Sequence, residues 1–262
     1  MKEITTLVLP VAGLGTRTKP LAPRVPKCLI PLCGKPMVEY MLEDAIFVGI
    51  RRVILVVSPE NRQNFERYVI KRAHRTFPTL SFSIVEQKLP LGDGHAVLQA
   101  AKVIGMVPFI VRFPDDLLFG KPHPLQQMIA VYKKYGASVL LVKKIPQKDI
   151  VRYGIIGGKQ VAGFDFPVYR MSEIVEKPAI KDAPSNMMVI GVYVVLPDVL
   201  RDLRQMAKRM LKTKDALRLA HVFGFQIKKG KKVFATQLTG KRLDCGSIEG
   251  FREAEKFITK RK

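Results

Sequence analysis

The stretch LVLPVAGLGTRTKPLAPRVPKCLIPL, residues 7–32, carries Arg17, Lys19, Arg24 and Lys27 without one acidic side chain. Such a loop suits an anion. Gly13 and Gly15 admit positive φ and close backbone approach, so successive N–H groups can aim at phosphate oxygens. Arg17 and Lys27 add mobile positive charge. Neither common glycine fingerprint fits: GLGTRT has Thr18 where a dinucleotide loop needs its third glycine, and no Gly-Lys-Ser/Thr closes it as a Walker loop would. Three other places carry usable chemistry. FIVRFPDDLLF sets Asp115 and Asp116 directly after an apolar run, EQKLPLGDGHAV offers the Gln87 amide before a glycine turn, and VEKP pairs Glu176 with Lys177.

These groups need a scaffold, and the chain supplies an alternation of short apolar runs with helical spacing. Ile4–Leu9, Val53–Val57, Leu80–Val85, Pro108–Arg112 and Ser138–Val142 read as strands, with helical patterns at 36–48, 60–75, 95–105 and 121–135 between them. That is the rhythm of βαβ units around a mostly parallel sheet. In PMVEYMLEDAIFVGI, Met37, Tyr40, Met41, Asp44, Ala45 and Val48 share one helix face, which leaves Glu39 and Glu43 outside and Gly49 as the stop. From Ile155 to Leu196 the segments are strand-like, and helices follow near 198–211 and 247–260. No linker divides the chain, so a single domain over 1–262 is expected, its character changing after residue 145. In open sheets of this kind ligands bind beyond the carboxyl ends of the strands, where the loop after the first strand lies.

Composition limits the partners. The chain has 262 residues, 47% of them hydrophobic, and 45 Lys and Arg against 22 Asp and Glu give +23. Residues 201–262 alone hold 18 basic and 6 acidic side chains. The charge would attract nucleic acid, anionic membranes or phosphorylated small molecules, and it allows weak, nonspecific, salt-sensitive nucleic-acid binding. KRMLKTK and QIKKGKK lack the interleaved aromatics of dedicated nucleic-acid binders. Cys28, Cys33 and Cys245 are too few for a disulfide framework or zinc site, which points to a reducing, cytoplasmic setting. No apolar run approaches the ~20 residues of a membrane span, so no membrane partner is expected.

The colinear stretches PVAGLGTR, PKCLIPLCGKPMVEY, EQKLPLGDGHAV, FPDDLL, YGII, IVEKP, APSNMMVIGVYV and LDCGSIEGFREA cover nearly the whole chain. In these it resembles the sugar-1-phosphate nucleotidyltransferases, and most closely the bacterial-type UTP:glucose-1-phosphate uridylyltransferases. The resemblance implies an α/β fold, a Rossmann-like nucleotidyltransferase domain with a mixed, mostly parallel central sheet flanked by helices, its nucleotide-binding half over 1–145 and its sugar-binding and C-terminal half over 146–262. It implies transfer of a uridylyl group from UTP to glucose 1-phosphate, forming UDP-glucose and pyrophosphate with Mg2+ as cofactor. Arg17, Lys27 and Asp115 then carry catalysis, and Ala12, Gly13, Gly15, Thr16, Gln87 and Gly92 bind the nucleotide. Gly154, Glu176, Lys177 and Val189 bind the sugar phosphate. Asp115 and Asp244 are the metal ligands, since magnesium takes few carboxylates together with substrate oxygens and water. Asp116 reads as a solvated or turn residue, His95 as a first-turn helix residue and Asp93 as that helix's cap. Members often self-associate, so a homo-oligomer is expected.

The chain departs from the family's pattern at three places. Cys28 and Asp93 replace an acid and an apolar residue, and KDALRLAHV, residues 214–222, has Ala216, Arg218 and His221 where Glu, Gln and Asp stand. These leave two alternatives open: use of another nucleotide or sugar 1-phosphate, or a weakly active nucleotide-sugar-binding or RNA-associated relative.

Overall fold

The structure is a computed structural model and describes residues 1–13, 18, 20–210 and 216–261. Its strands in chain order are β1 (Thr6–Pro10), β2 (Pro31–Leu32), β3 (Lys35–Pro36), β4 (Arg52–Val57), β5 (Ser81–Glu86), β6 (Phe109–Arg112) and β7 (Asp116–Phe119). They continue with β8 (Ser138–Lys144), β9 (Gly154–Val161), β10 (Val168–Glu176), β11 (Met187–Val195), β12 (Val233–Gln237) and β13 (Lys241–Asp244).

Nine of them form one sheet in the order β5-β4-β1-β6-β11-β8-β12-β10-β9. β5, β4, β1 and β6 are parallel neighbours. β10 and β11 run against the rest of the sheet, so it is mixed with most strands pointing one way. β1, β4 and β6 are near-continuous apolar runs buried along almost their full length, the signature of parallel strands covered on both faces. The pleat divides them: Leu7, Leu9 and Leu55 enter one core, and Val8, Ile54 and Val56 the other.

The expected helices appear at Met37–Phe47, Arg62–Tyr68 with its continuation to Thr76, Asp93–Gln99 with Ala101–Ile104, Pro124–Tyr135, Asp198–Met210 and Ile248–Thr259. Gly49, at φ +88°, ends the turn after the first of these. A further helix, Leu219–Lys228, occupies part of the divergent segment. One face assignment is corrected. Glu39 is not outside but 2% exposed, gripped by Arg72 through Nε at 2.5 Å and Nη2 at 3.1 Å. A bidentate guanidinium makes burial of that carboxylate tolerable. Among the described residues no helix is long and apolar enough to cross a membrane, and none of the three cysteines is in a disulfide.

Outside the main sheet, β7 and β13 form an antiparallel pair that sets Asp244 opposite Asp116 and Leu243 opposite Leu117. The pair joins two segments more than a hundred residues apart, just beyond the end of β6.

Candidate active site

The parallel strands β5, β4, β1 and β6 end along one edge of the sheet, and the residues that follow β1, β5 and β6 line one cleft of about 390 Å³. Ala12 and Gly13 follow β1, Gln87 follows β5, and Asp115 follows β6, while Lys27, Gly92 and Gly246 complete the wall. Six sequence-predicted residues, Ala12, Gly13, Lys27, Gln87, Gly92 and Asp115, therefore meet in one place. Gly15, Thr16 and Arg17 lie outside the described residues.

Lys27 Nζ stands 3.2 Å from Asp115 Oδ2, with the lysine side chain 14% and the aspartate 34% exposed. A half-buried cation and carboxylate at the floor of a cleft can each turn to a charged ligand at modest cost. Gly13 has open space above it, since a Cβ there would meet nothing within 4 Å. Gln87 is 7% exposed. Its Nε2 reaches the Gly92 carbonyl at 3.0 Å and His95 Nδ1 at 3.1 Å, and Gln99 Nε2 lies 2.9 Å from the other ring nitrogen. His95 thus does more than sit in a first turn: it helps fix the amide that faces the cleft.

The second expected metal ligand, Asp244, is brought beside the Asp115 backbone by the β7–β13 pairing but does not line the cleft. Asp244 ends β13, and the next amide, that of Cys245, donates to the Asp115 carbonyl at 2.7 Å. Asp244 also shapes its own turn, accepting from Gly246 N–H at 2.8 Å and from Arg242 at 3.1 Å. The structure corrects the reading of Asp116. It is neither solvated nor in a turn but 3% exposed on β7, with Oδ1 2.6 Å from Arg242 Nε. Burial pushes its carboxyl upward, Arg242 pulls it back, and the charges of Asp115 and Asp244 push it up again. Three carboxylates, Asp115, Asp116 and Asp244, meet two cations, Lys27 and Arg242, at this wall. Among the described residues no three His, Cys, Asp or Glu side chains form a metal cage by themselves. The donor set therefore fits a hard cation that completes its shell with substrate oxygens and water.

The sugar-side residues lie on neighbouring elements. Glu176 ends β10 directly opposite Gly154 of β9, and a Cβ on Gly154 would stand 3.0 Å from Glu176 Oε2. Lys177 follows at φ +49° and is exposed. Val189 is half-buried on β11, opposite Val142. None of these four lines the cleft; Arg218 Nη1 lies 3.6 Å from Glu176 Oε1, and Leu217 before it is bonded to Leu91 and Gly94 beside the cleft residue Gly92.

Asp93 is the second correction. It does not cap its own helix, whose N-cap is Gly92 at φ +104°. Its Oδ1 accepts the Leu219 N–H at 2.7 Å and so caps the helix Leu219–Lys228, which has no side-chain cap of its own. Burial pushes the Asp93 carboxyl up, while the Leu219 amide and the Arg218 charge pull it down. The third departure, Cys28, is buried at 2% exposure, where an acid beside Lys27 would need a partner.

Residues 6–261 match the nucleotidyl transferase family. The chain belongs to that family. It is 31% identical to a UTP–glucose-1-phosphate uridylyltransferase of Bacillus subtilis (strain 168) over 96% of this chain and 89% of that one. It is 32% identical to the UTP–glucose-1-phosphate uridylyltransferase YngB of the same strain, over 98% and 90%. A solved structure, UDP-glucose pyrophosphorylase complexed with UDP-glucose, matches with a TM-score of 0.85 at 31% identity, covering 99% of this chain and 100% of that one. This nucleotidyltransferase therefore shares fold and length with those proteins. Arg242 is the residue at this site that the sequence reading did not single out; Asp116, Asp93 and Arg218 were noted there, but as a turn residue, a helix cap and a departure from the family's pattern.

Proposed function

We infer that this nucleotidyltransferase transfers the uridylyl group of UTP to glucose 1-phosphate, forming UDP-glucose and pyrophosphate. One observation carries the reading. Four separated segments bring Ala12–Gly13, Lys27, Gln87–Gly92 and Asp115 into one cleft, in a chain about as long as the uridylyltransferases it resembles.

A phosphate oxygen of the sugar phosphate attacks the α-phosphorus of UTP. A new P–O bond forms there as the bond to the leaving pyrophosphate breaks, so the protein needs alignment and charge neutralisation more than a nucleophile. Lys27 supplies positive charge to the polyphosphate, releasing Asp115. Gly13 lets the backbone approach, and Arg17, with Gly15 and Thr16, completes the anion loop. The fixed Gln87 amide and Gly92 face the base; with Gln87 Nε2 held by the Gly92 carbonyl and His95, the amide oxygen is the group left to accept uracil's N–H. Glu176 accepts from sugar hydroxyls, Gly154 gives that carboxylate room, Lys177 meets the sugar phosphate and Val189 supplies an apolar wall. Asp115 and Asp244 would hold Mg2+, which when bound offsets charge on the α-phosphate and the leaving group. This divides the chain into a nucleotide half and a sugar half. We propose the cytoplasm as its compartment, a homo-oligomer as its assembly, and weak polyanion binding as a by-product of its charge.

Pyrophosphate release, measured for UTP, dTTP, CTP and ATP against glucose 1-phosphate and hexosamine 1-phosphates, tests the reading. The highest kcat/KM is expected for UTP with glucose 1-phosphate, and faster turnover of dTTP or a hexosamine phosphate overturns it. Chelation should abolish turnover and Mg2+ restore it. Asp115→Ala should be inactive yet folded, and full activity in that variant removes Asp115 from the mechanism.

A further inference from the structure

Arg218 lies where the two halves of the site touch. The segment before the helix Leu219–Lys228 is clamped to the nucleotide loop by two backbone bonds, Leu217 N–H to the Leu91 carbonyl at 2.8 Å and Gly94 N–H to the Leu217 carbonyl at 2.9 Å. The clamp is close: a Cβ on Gly92 would stand 2.4 Å from the Leu217 oxygen. Asp93 adds a third tie through the Leu219 N–H at 2.7 Å. From that fixed base Arg218 extends to Glu176, with Nη1 and Oε1 separated by 3.6 Å and the side chains 38% and 22% exposed.

That distance is informative. It exceeds a hydrogen bond, so the guanidinium steers the Glu176 carboxylate without committing its lone pairs, and they remain available to hydroxyl donors. Asp93 and Glu176 are like charges that act on each other, and the Arg218 charge opposes the effect of Glu176 on Asp93. Without Arg218 the repulsion between the two carboxylates is unopposed there, and among the described residues Glu176 has no other ion-pair partner.

We propose that Arg218 is a positioning residue for the acceptor sugar: it orients Glu176, and Asp93, by anchoring the Arg218 segment to the nucleotide loop, couples that orientation to the nucleotide half of the site. The proposal rests on the reading of Glu176 as a sugar-hydroxyl acceptor. It also gives a role to two of the departures from the family's pattern, Asp93 and Arg218, which meet across this contact.

Steady-state kinetics with each substrate varied separately provide the test, on Arg218→Gln, Arg218→Lys, Asp93→Asn, Glu176→Gln and the double variant Glu176→Gln with Arg218→Gln. Arg218→Gln should raise KM for glucose 1-phosphate about three- to tenfold, the lower part of the range of coupling between contacting side chains, with KM for UTP and the melting temperature unchanged. Arg218→Lys should recover part of the loss. The double variant should be no worse than Glu176→Gln alone, and Asp93→Asn should add nothing in the Arg218→Gln background. If Glu176→Gln raises KM for the sugar phosphate but Arg218→Gln does not, or if their effects multiply, the positioning role is wrong and the reading of Glu176 stands. If Glu176→Gln leaves that KM unchanged, the reading of Glu176 fails and the proposal fails with it.

Discussion

Asp44→Asn isolates the buried charge that shapes the turn carrying Asp115. Arg112, at the end of β6, is wholly buried. Its Nη1 lies 2.6 Å from Asp44 Oδ2, and His123 Nε2 lies 3.1 Å from the other oxygen. Arg112 Nη2 donates to the Asp116 carbonyl at 3.1 Å, so the pair sits directly behind the site. With the two charge centres about 4 Å apart and an effective dielectric near 20, the attraction is about 4 kcal/mol. The asparagine carbonyl can still accept from Arg112 and recovers about 1 kcal/mol. The net loss is about 3 kcal/mol, at the lower edge of what removing one partner of a buried pair costs. With an unfolding entropy of about 2.1 cal/mol/K per residue, that lowers the melting temperature by about 5 °C.

Urea denaturation followed by far-UV circular dichroism reads this loss, with the slope unchanged. A double variant, Asp44→Leu with Arg112→Met, removes both charges together with their desolvation and should lie within about 1 kcal/mol of the native protein. The pH dependence has a definite sign. Burial pushes the Asp44 carboxyl up, but the Arg112 charge and the His123 hydrogen bond outweigh it, and the net shift is below 3.8. A depressed folded value means that the contribution is complete above 3.8 and disappears as the pH falls through the lower folded value. The gap between native protein and Asp44→Asn should thus hold steady from neutrality down to mild acid and close only below 3.8. A loss under about 0.5 kcal/mol, or a double variant as unstable as Asp44→Asn, would refute the assignment of this pair as a charge held by burial.

Three further outcomes are expected. Gly240→Ala should lower the melting temperature sharply, by the equivalent of at least about 2 kcal/mol, because its Cβ would fall 1.7 Å from the Phe119 oxygen across the β7–β13 pair. Gly13→Ala, where a Cβ meets nothing within 4 Å, should melt normally and raise KM for UTP, and an unchanged KM would exclude a backbone contact there. Burial pushes the thiols of Cys28 and Cys245 up to about 12, so iodoacetamide at mildly alkaline pH should modify neither until the protein is unfolded, as read by peptide mass spectrometry.

The strands β1, β4, β5, β6 and β8 were legible to within about two residues because a run such as RVILVV, six residues long and rich in β-branched side chains, is too short for a buried helix. Charged residues were harder, for a physical reason. Helical spacing sorts Glu39 outward by its type, yet Arg72, 33 positions later, grips it and makes the buried face affordable. Asp115 and Asp116 are indistinguishable by composition, and only their pairing with β13 decides that one borders the cleft while the other is buried against Arg242. The helix Leu219–Lys228 carries no cap in its own sequence because its cap is Asp93, 126 positions earlier. In each case the fate of a carboxylate was settled by a cation or amide distant in the chain, which local periodicity does not register. The same dependence makes Asp93 and Arg218 informative. Their types run against the family's pattern, and the contacts that explain them join the nucleotide loop to the segment that reaches Glu176.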